Sequence, residues 1–178
     1  MANRSIVHAD GSPTSAWTTE RFAKLDYVEA CANETMRLRP VAPFLMLQAL
    51  RETSIADIRI PVETVIWGAL RADSLREAHF DEPDRFKPER WLADAGPSAS
   101  SANRVAMPFG AGPRVCPGRH LAMLEIKMAL AVLLGRFDIE GVAPTRTGAP
   151  ADEPAEELAF SMAPEPLTLR LRRRVDAR

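Results

Sequence analysis

The sequence predicts an α+β fold, and three observations predict it. Two segments, Tyr27–Arg39 and Arg119 to about Phe137, carry apolar residues at helical spacing. Short apolar and β-branched runs lie between and after them, at Phe44–Leu50, Ile58–Ile60, Thr64–Trp67, Leu158–Met162 and Leu167–Leu171. Clusters of Gly, Pro, Ser and Asp separate these runs.

Taken in order, residues 1–17 are rich in Ser, Thr, Gly and Pro and are expected to be a flexible entry, with one partial domain over 18–178. Asp26 is placed to cap the first long helix, with Glu29 three residues on completing a capping box. Pro40 ends that helix, because the residue before a proline is disfavoured in helical geometry. Ile58–Ile60 and Thr64–Trp67, separated by Pro61–Glu63, are expected to pair as a hairpin or meander. Arg71–Glu77 suits a short helix, and Asp81–Trp91, with Pro83 and Pro88, an irregular crossing. Ala93–Asn103 is a surface loop by composition. In the last long helix Leu121, Leu124, Met128, Ala131 and Val132 form the apolar stripe. Gly141–Glu157 is expected to be mobile, and Leu158–Met162 with Leu167–Leu171 to close a terminal hairpin around Pro164 and Pro166. Trp67 and Trp91 are expected in the core, and His8 and His79 at the surface.

Composition narrows the function. The 178 residues carry a net charge of −1, which gives no electrostatic case for nucleic acid. No apolar run is long enough for a membrane helix and no signal core is present, so a cytoplasmic product is expected. Lys24, Lys87 and Lys127 are the only lysines; the other basic residues are arginines, which suit fixed forks onto carboxylates. Cys31 and Cys116 sit in different contexts and are expected to be free thiols.

The richest segment is Phe109-Gly110-Ala111-Gly112-Pro113-Arg114-Val115-Cys116-Pro117-Gly118, which opens into the last helix. A thiolate that ligates metal needs positive potential and backbone donors. The helix N-terminus and the amides of Gly118 and Arg119 supply them, since Pro117 has no N–H. Gly110 and Gly112 allow tight turning and close approach of the backbone to a flat ligand. Phe109 can screen the sulfur from water, and Arg114 can reach an anionic group of the ligand. The competing reading is a glycine turn before a helix with an inert cysteine. A zinc site is the weaker rival, because there is no C-x-x-C and His120 cannot complete four ligands. Elsewhere, Glu34 and Arg37 stand three apart on one helical face, which by itself fits a solvated pair.

The order Phe-Gly-x-Gly-x-Arg-x-Cys-x-Gly resembles the haem-ligand signature of the cytochrome P-450 family, and every specified position is met. Glu34-Thr35-Met36-Arg37 resembles that family's Glu-x-x-Arg motif, and Pro88-Glu89-Arg90 its Pro-x-Arg segment. The resemblance runs from about Thr18 to Leu171. It implies the C-terminal, haem-ligating part of a mainly α fold with a small β-sheet. The long central helix that crosses the distal haem face is not found in the sequence.

By resemblance, Cys116 is the axial ligand of a haem b iron (iron protoporphyrin IX). Phe109, Gly110, Gly112, Arg114 and Gly118 contribute to the same cofactor site. Glu34, Arg37 and Arg90 form a buried network beneath the haem, so Arg37→Ala is expected to abolish haem incorporation. Val41, Ala42, Phe44, Phe160 and Met162 border the pocket of an apolar small-molecule substrate that reacts with dioxygen. Arg104, Arg119, His120 and Lys127 form a basic surface for a ferredoxin or flavodoxin-like electron donor. The function implied is that of a monooxygenase; the alternative is a truncated, non-catalytic haem-binding module or an inert gene fragment. Two departures concern the haem propionates. Met46, Leu47 and Gln48 stand where the family often has a basic residue, and Arg71-Ala72-Asp73-Ser74 replaces its usual Arg-Asp-Pro run.

Overall fold

The computed structural model describes residues 19–92, 105–144, 156–158, 161–164 and 166–174. The expected entry segment and the loop Ala93–Asn103 lie outside them. The described residues form helices and small antiparallel sheets, an α+β arrangement. They fall into two compact units. None of the described helices is long and apolar enough to cross a membrane.

The first unit draws on the described residues of Met1–Ala32, Pro117–Ala159 and Ala163–Arg178. It holds α1 (Thr19–Ala23) and the first half of α2 (Asp26–Leu38). The α2 helix starts one residue earlier than predicted. The Glu29 N–H donates to the Leu25 carbonyl at 3.0 Å, so Leu25 takes the capping position and Asp26 stands in the first turn. Its carboxylate there still complements the helix dipole.

Helix α4 (Arg119–Arg136) begins after Gly118 and ends where Phe137 turns extended. Its apolar stripe divides: Ala131 is buried, whereas Leu121, Met128 and Val132 are exposed. A helix with apolar residues around most of its circumference is not read reliably by periodicity alone. Lys127 instead lies inside, 6% exposed, paired with Glu29 and donating to the Ala23 carbonyl at 3.5 Å. It is therefore not part of the basic surface that the sequence proposes; a lysine is rarely buried unless paired in this way.

Strand β5 (Phe137–Pro144) pairs antiparallel with β8 (Leu167–Arg173), with an irregularity between Ile139 and Gly141. Arg172 bridges Asp138 at 3.0 Å and Glu140 at 2.7 Å across that ladder. The C-terminal segment thus finds its partner directly after α4. The expected terminal hairpin does not form: Glu156–Leu158 (β6) pairs instead with Met162–Pro164 (β7). Gly141–Pro144, expected to be mobile, belongs to β5, while residues 145–155 lie outside the described set.

The second unit comprises the described residues of Asn33–Cys116 and Phe160–Met162. It contains the second half of α2, where the Arg39 N–H closes on Thr35 O at 2.7 Å before Pro40. Strand β1 (Phe44–Gln48) pairs antiparallel with β4 (Val65–Ala69), from Phe44 opposite Ala69 to Gln48 opposite Val65. Between them, β2 (Thr53–Ile55) and β3 (Ile58–Ile60) make a hairpin whose Ala56 has φ +50°. The predicted pairing of Ile58–Ile60 with Thr64–Trp67 is thus replaced by two nested ladders. The turn at Ala56–Asp57 closes β2 on β3, leaving β4 to reach back to β1. Trp67 is 61% exposed and meets only the edge of Phe44 in the aromatic contacts described, so it is not core.

Helix α3 (Leu70–Ser74) is shorter than predicted and follows β4 directly. The crossing then runs to a 3-10 turn over Pro88–Trp91. The unit's core is small: Phe80 and Ala106 are buried, with Trp91 and Val105 packed against them.

Candidate functional site

The crossing and α2 meet at Glu34. This carboxylate is fully buried, and so is Arg37. Arg37 Nε donates to Glu34 Oε2 and its Nη2 to Oε1, both at 2.9 Å. Arg90 Nε reaches Oε1 at 3.0 Å, the Lys87 backbone N–H reaches Oε1 at 2.9 Å, and the Trp91 indole N–H reaches Oε2 at 2.9 Å. Burial pushes the Glu34 carboxyl pKa up. The hydrogen bonds from Arg37, Trp91 and Lys87, with the Arg37 charge, outweigh that and hold it below its ordinary value.

The arginines bind backbone as well. Arg37 donates to Ser74 O at 2.6 Å and Arg85 O at 3.3 Å. Arg90 donates to Asp81 O at 3.1 Å and Glu82 O at 3.4 Å. An irregular segment cannot satisfy its carbonyls within itself, so guanidinium forks do that here. The structure therefore brings Glu34, Arg37 and Arg90 together. Two further participants are not evident from the sequence pattern. Trp91 acts as a donor as well as core, and Phe80 lies 4.9 Å from Arg37 Cζ and 5.7 Å from Arg90 Cζ. An indole beside a Pro-x-Arg segment is the one signal that points to Trp91; Phe80 leaves none.

The cysteine loop is built differently. Gly110 and Gly112 have φ of +72° and +66°, which a side chain at either position would resist. Backbone bonds from Gly110 N–H to Met107 O (2.9 Å), Val115 N–H to Gly112 O (3.1 Å) and Cys116 N–H to Phe109 O (2.8 Å) close it. Gly112–Arg114 forms a 3-10 turn. Phe109 is half-buried, while Arg114 and Cys116 are exposed. Free cysteines are ordinarily among the most buried residues, so an exposed thiol at the end of a closed loop departs from the usual packing role. A Cβ built on Gly112 would meet nothing within 4 Å. A soft sulfur donor, open space over the glycine and an exposed guanidinium fit a thiolate-ligated haem with anionic propionates. Gly118 precedes α4 and its carbonyl accepts from the Ala122 N–H at 2.9 Å.

Residues 7–171 match the family described as Cytochrome P450. The chain belongs to the cytochrome P450 family. It is 40% identical over 130 residues to the cytochrome P450 monooxygenase tpcB of Cochliobolus heterostrophus, covering 71% of this chain and 26% of the relative. It is 35% identical over 175 residues to cytochrome P450 4d1 of Drosophila melanogaster, covering 97% and 32%. The crystal structure of the cytochrome P450DA heme domain matches with a TM-score of 0.78 and 25% identity, over 92% of this chain and 34% of that one. The chain thus spans about a quarter to a third of the length of these relatives. Of these relatives, tpcB is named a monooxygenase and the P450DA structure a heme domain.

The remaining expected residues are placed as follows. Val41 O accepts from the Met162 N–H at 2.7 Å, and Arg71 Nη1 lies 3.8 Å from Met162 Sδ. Val41, Ala42 and Phe44 are exposed, and Phe160 lies outside the described residues. Arg119 and His120 are exposed and adjacent, with Arg119 Nε 3.1 Å from His120 Nε2. Arg104 also lies outside the described residues.

Proposed function

We propose that this chain is the proximal, haem-ligating portion of a P450 monooxygenase, with the Cys116 thiolate as axial ligand of haem b. The observation that carries the reading is the exposed sulfur of Cys116 on a backbone-closed glycine loop. Gly110 and Gly112 would let the loop backbone approach a flat macrocycle closely. Once the ligand covers the sulfur, Phe109 would help keep water from it, and Arg114 would donate a charge-assisted bond to a propionate. The amide of Gly118, two residues on, is the donor assigned to the thiolate. Glu34, Arg37 and Arg90 hold the crossing in place. When bound, the haem supplies the oxygen chemistry, with thiolate donation favouring O–O cleavage.

Val41, Ala42, Phe44, Phe160 and Met162 border the site of an apolar small molecule, whose oxidation consumes dioxygen. The exposed Arg119 and His120 suit an acidic ferredoxin or flavodoxin-like donor, in the cytoplasm.

The test is reconstitution of the full chain with hemin, followed by reduction and CO. The wild type gives the strongly red-shifted Soret band of a thiolate ligand, and Cys116→Ala gives a band at the ordinary position. A histidine or aquo axial environment in the wild type by EPR overturns the assignment.

A further inference from the structure

The buried network does not balance its own charge. Arg37 and Arg90 bring two positive charges and Glu34 one negative, and all three are buried. An uncompensated cation in an apolar interior is costly. The carboxylates of Asp81 and Glu82 are exposed and bind Lys87 and Arg85, and Asp81 reaches Arg90 only through its screened charge. Backbone carbonyls of Ser74, Asp81, Glu82 and Arg85 take up part of the surplus. Among the described residues, the ring of Phe80, 2% exposed, lies beside both guanidinium centres, with its centroid 4.9 Å from one and 5.7 Å from the other. Both distances lie within the range at which a ring quadrupole attracts a cation.

We propose that Phe80 is a positioning residue whose π-face is the counter-charge for the second arginine of the network. It acts through Arg37 and Arg90, which hold the crossing Asp81–Trp91 against α2 by their bonds to Glu34 and to backbone carbonyls. A buried aliphatic residue of equal volume fills the same space and fails in this role. The proposal concerns the network and stands whether or not the chain holds haem.

The experiment replaces Phe80 in the full chain with mono-, tri- and pentafluorophenylalanine. The series keeps the ring's shape while weakening and, in the pentafluoro ring, reversing its quadrupole, and it makes the ring more hydrophobic. Packing alone therefore predicts an unchanged or raised melting temperature. Counter-charge by the ring predicts a stepwise fall, reaching about 4–8 °C for the pentafluoro variant. Phe80→Leu is measured alongside and falls at least as far. A flat or rising melting temperature along the fluorinated series overturns the proposal, whatever Phe80→Leu does. Melting is followed without added hemin, so failure of the haem reading leaves this result intact. Haem retention, measured separately, falls in the same order if Cys116 is the ligand.

Discussion

Glu34 and Cys116 stand in segments that resemble two motifs of the same family, yet their surroundings are opposite. Glu34 has no exposed surface and accepts from Arg37 Nε and Nη2, Lys87 N, Arg90 Nε and Trp91 Nε1. Cys116 is exposed, on a loop whose hydrogen bonds are made by backbone. One region is finished by the chain's own atoms; the other is finished in shape and open in chemistry. The difference teaches which substitutions damage the fold and which damage only the function. A saturated buried carboxylate cannot lose a partner without stranding charge. An exposed sulfur can be removed at little structural cost.

The sharpest way to break this comparison is Arg37→Ala. It removes two donors from Glu34 and the fork onto Ser74 and Arg85, at a cost of roughly 3–5 kcal/mol. Denaturant titration should register that loss, and the haem-to-protein ratio should fall toward zero. Cys116→Ala, in the same titration, should stay within about 0.5 kcal/mol of the wild type. Equal losses from both would erase the distinction drawn between the two regions.

Trp91→Phe is gentler. It keeps the ring in the core beside Phe80 and deletes one bond to Glu34 Oε2, for about 1–3 kcal/mol by urea unfolding. Little or no change there would return Trp91 to a packing role alone.

Acid sharpens the comparison further. The folded Glu34 carboxyl titrates below its ordinary value near 4.5, so its contribution to stability is present above that pH. It is lost as pH falls through the lower, folded value. Circular dichroism against pH should therefore show an acid limb that flattens in Glu34→Gln, while Cys116→Ala leaves the limb unchanged.

The smallest effect is expected far from both regions. Ala56 holds φ +50° in the β2–β3 turn, where an L-residue is strained and asparagine is tolerated. Ala56→Asn should raise stability by up to about 1 kcal/mol, read as a higher melting temperature, with no change in haem content. A decrease would show that the alanine side chain contributes packing at that turn.

Much of the fold and of the candidate site is legible in the order of residues alone. The two long helices match their expected bounds to within a residue or so, because capping, periodicity and proline act through neighbours in the chain. The order of glycines, arginine and cysteine marks out the loop, since positive φ and an exposed thiol require those residue types at those places. What that order leaves open is depth. Glu34–Arg37, Asp73–Arg76 and Glu82–Arg85 have identical spacing, yet the first pair is fully buried and the other two are largely exposed. Strand partners are equally open: β4 pairs with β1 rather than β3, and β8 with β5 rather than its nearer neighbours in the chain.

The sequence by itself therefore determined the helices, the glycine loop with its sulfur, and the family to which they belong. The tertiary structure alone decided that Lys127 goes inside against Glu29, that Trp67 stays out, and that Trp91 and Phe80 complete the Glu34 network. The physical reason is range. Dihedral preference and capping act over a few residues, whereas burial and charge compensation depend on groups that folding brings together from far along the chain, 57 positions for Trp91 and Glu34 and 104 for Lys127 and Ala23.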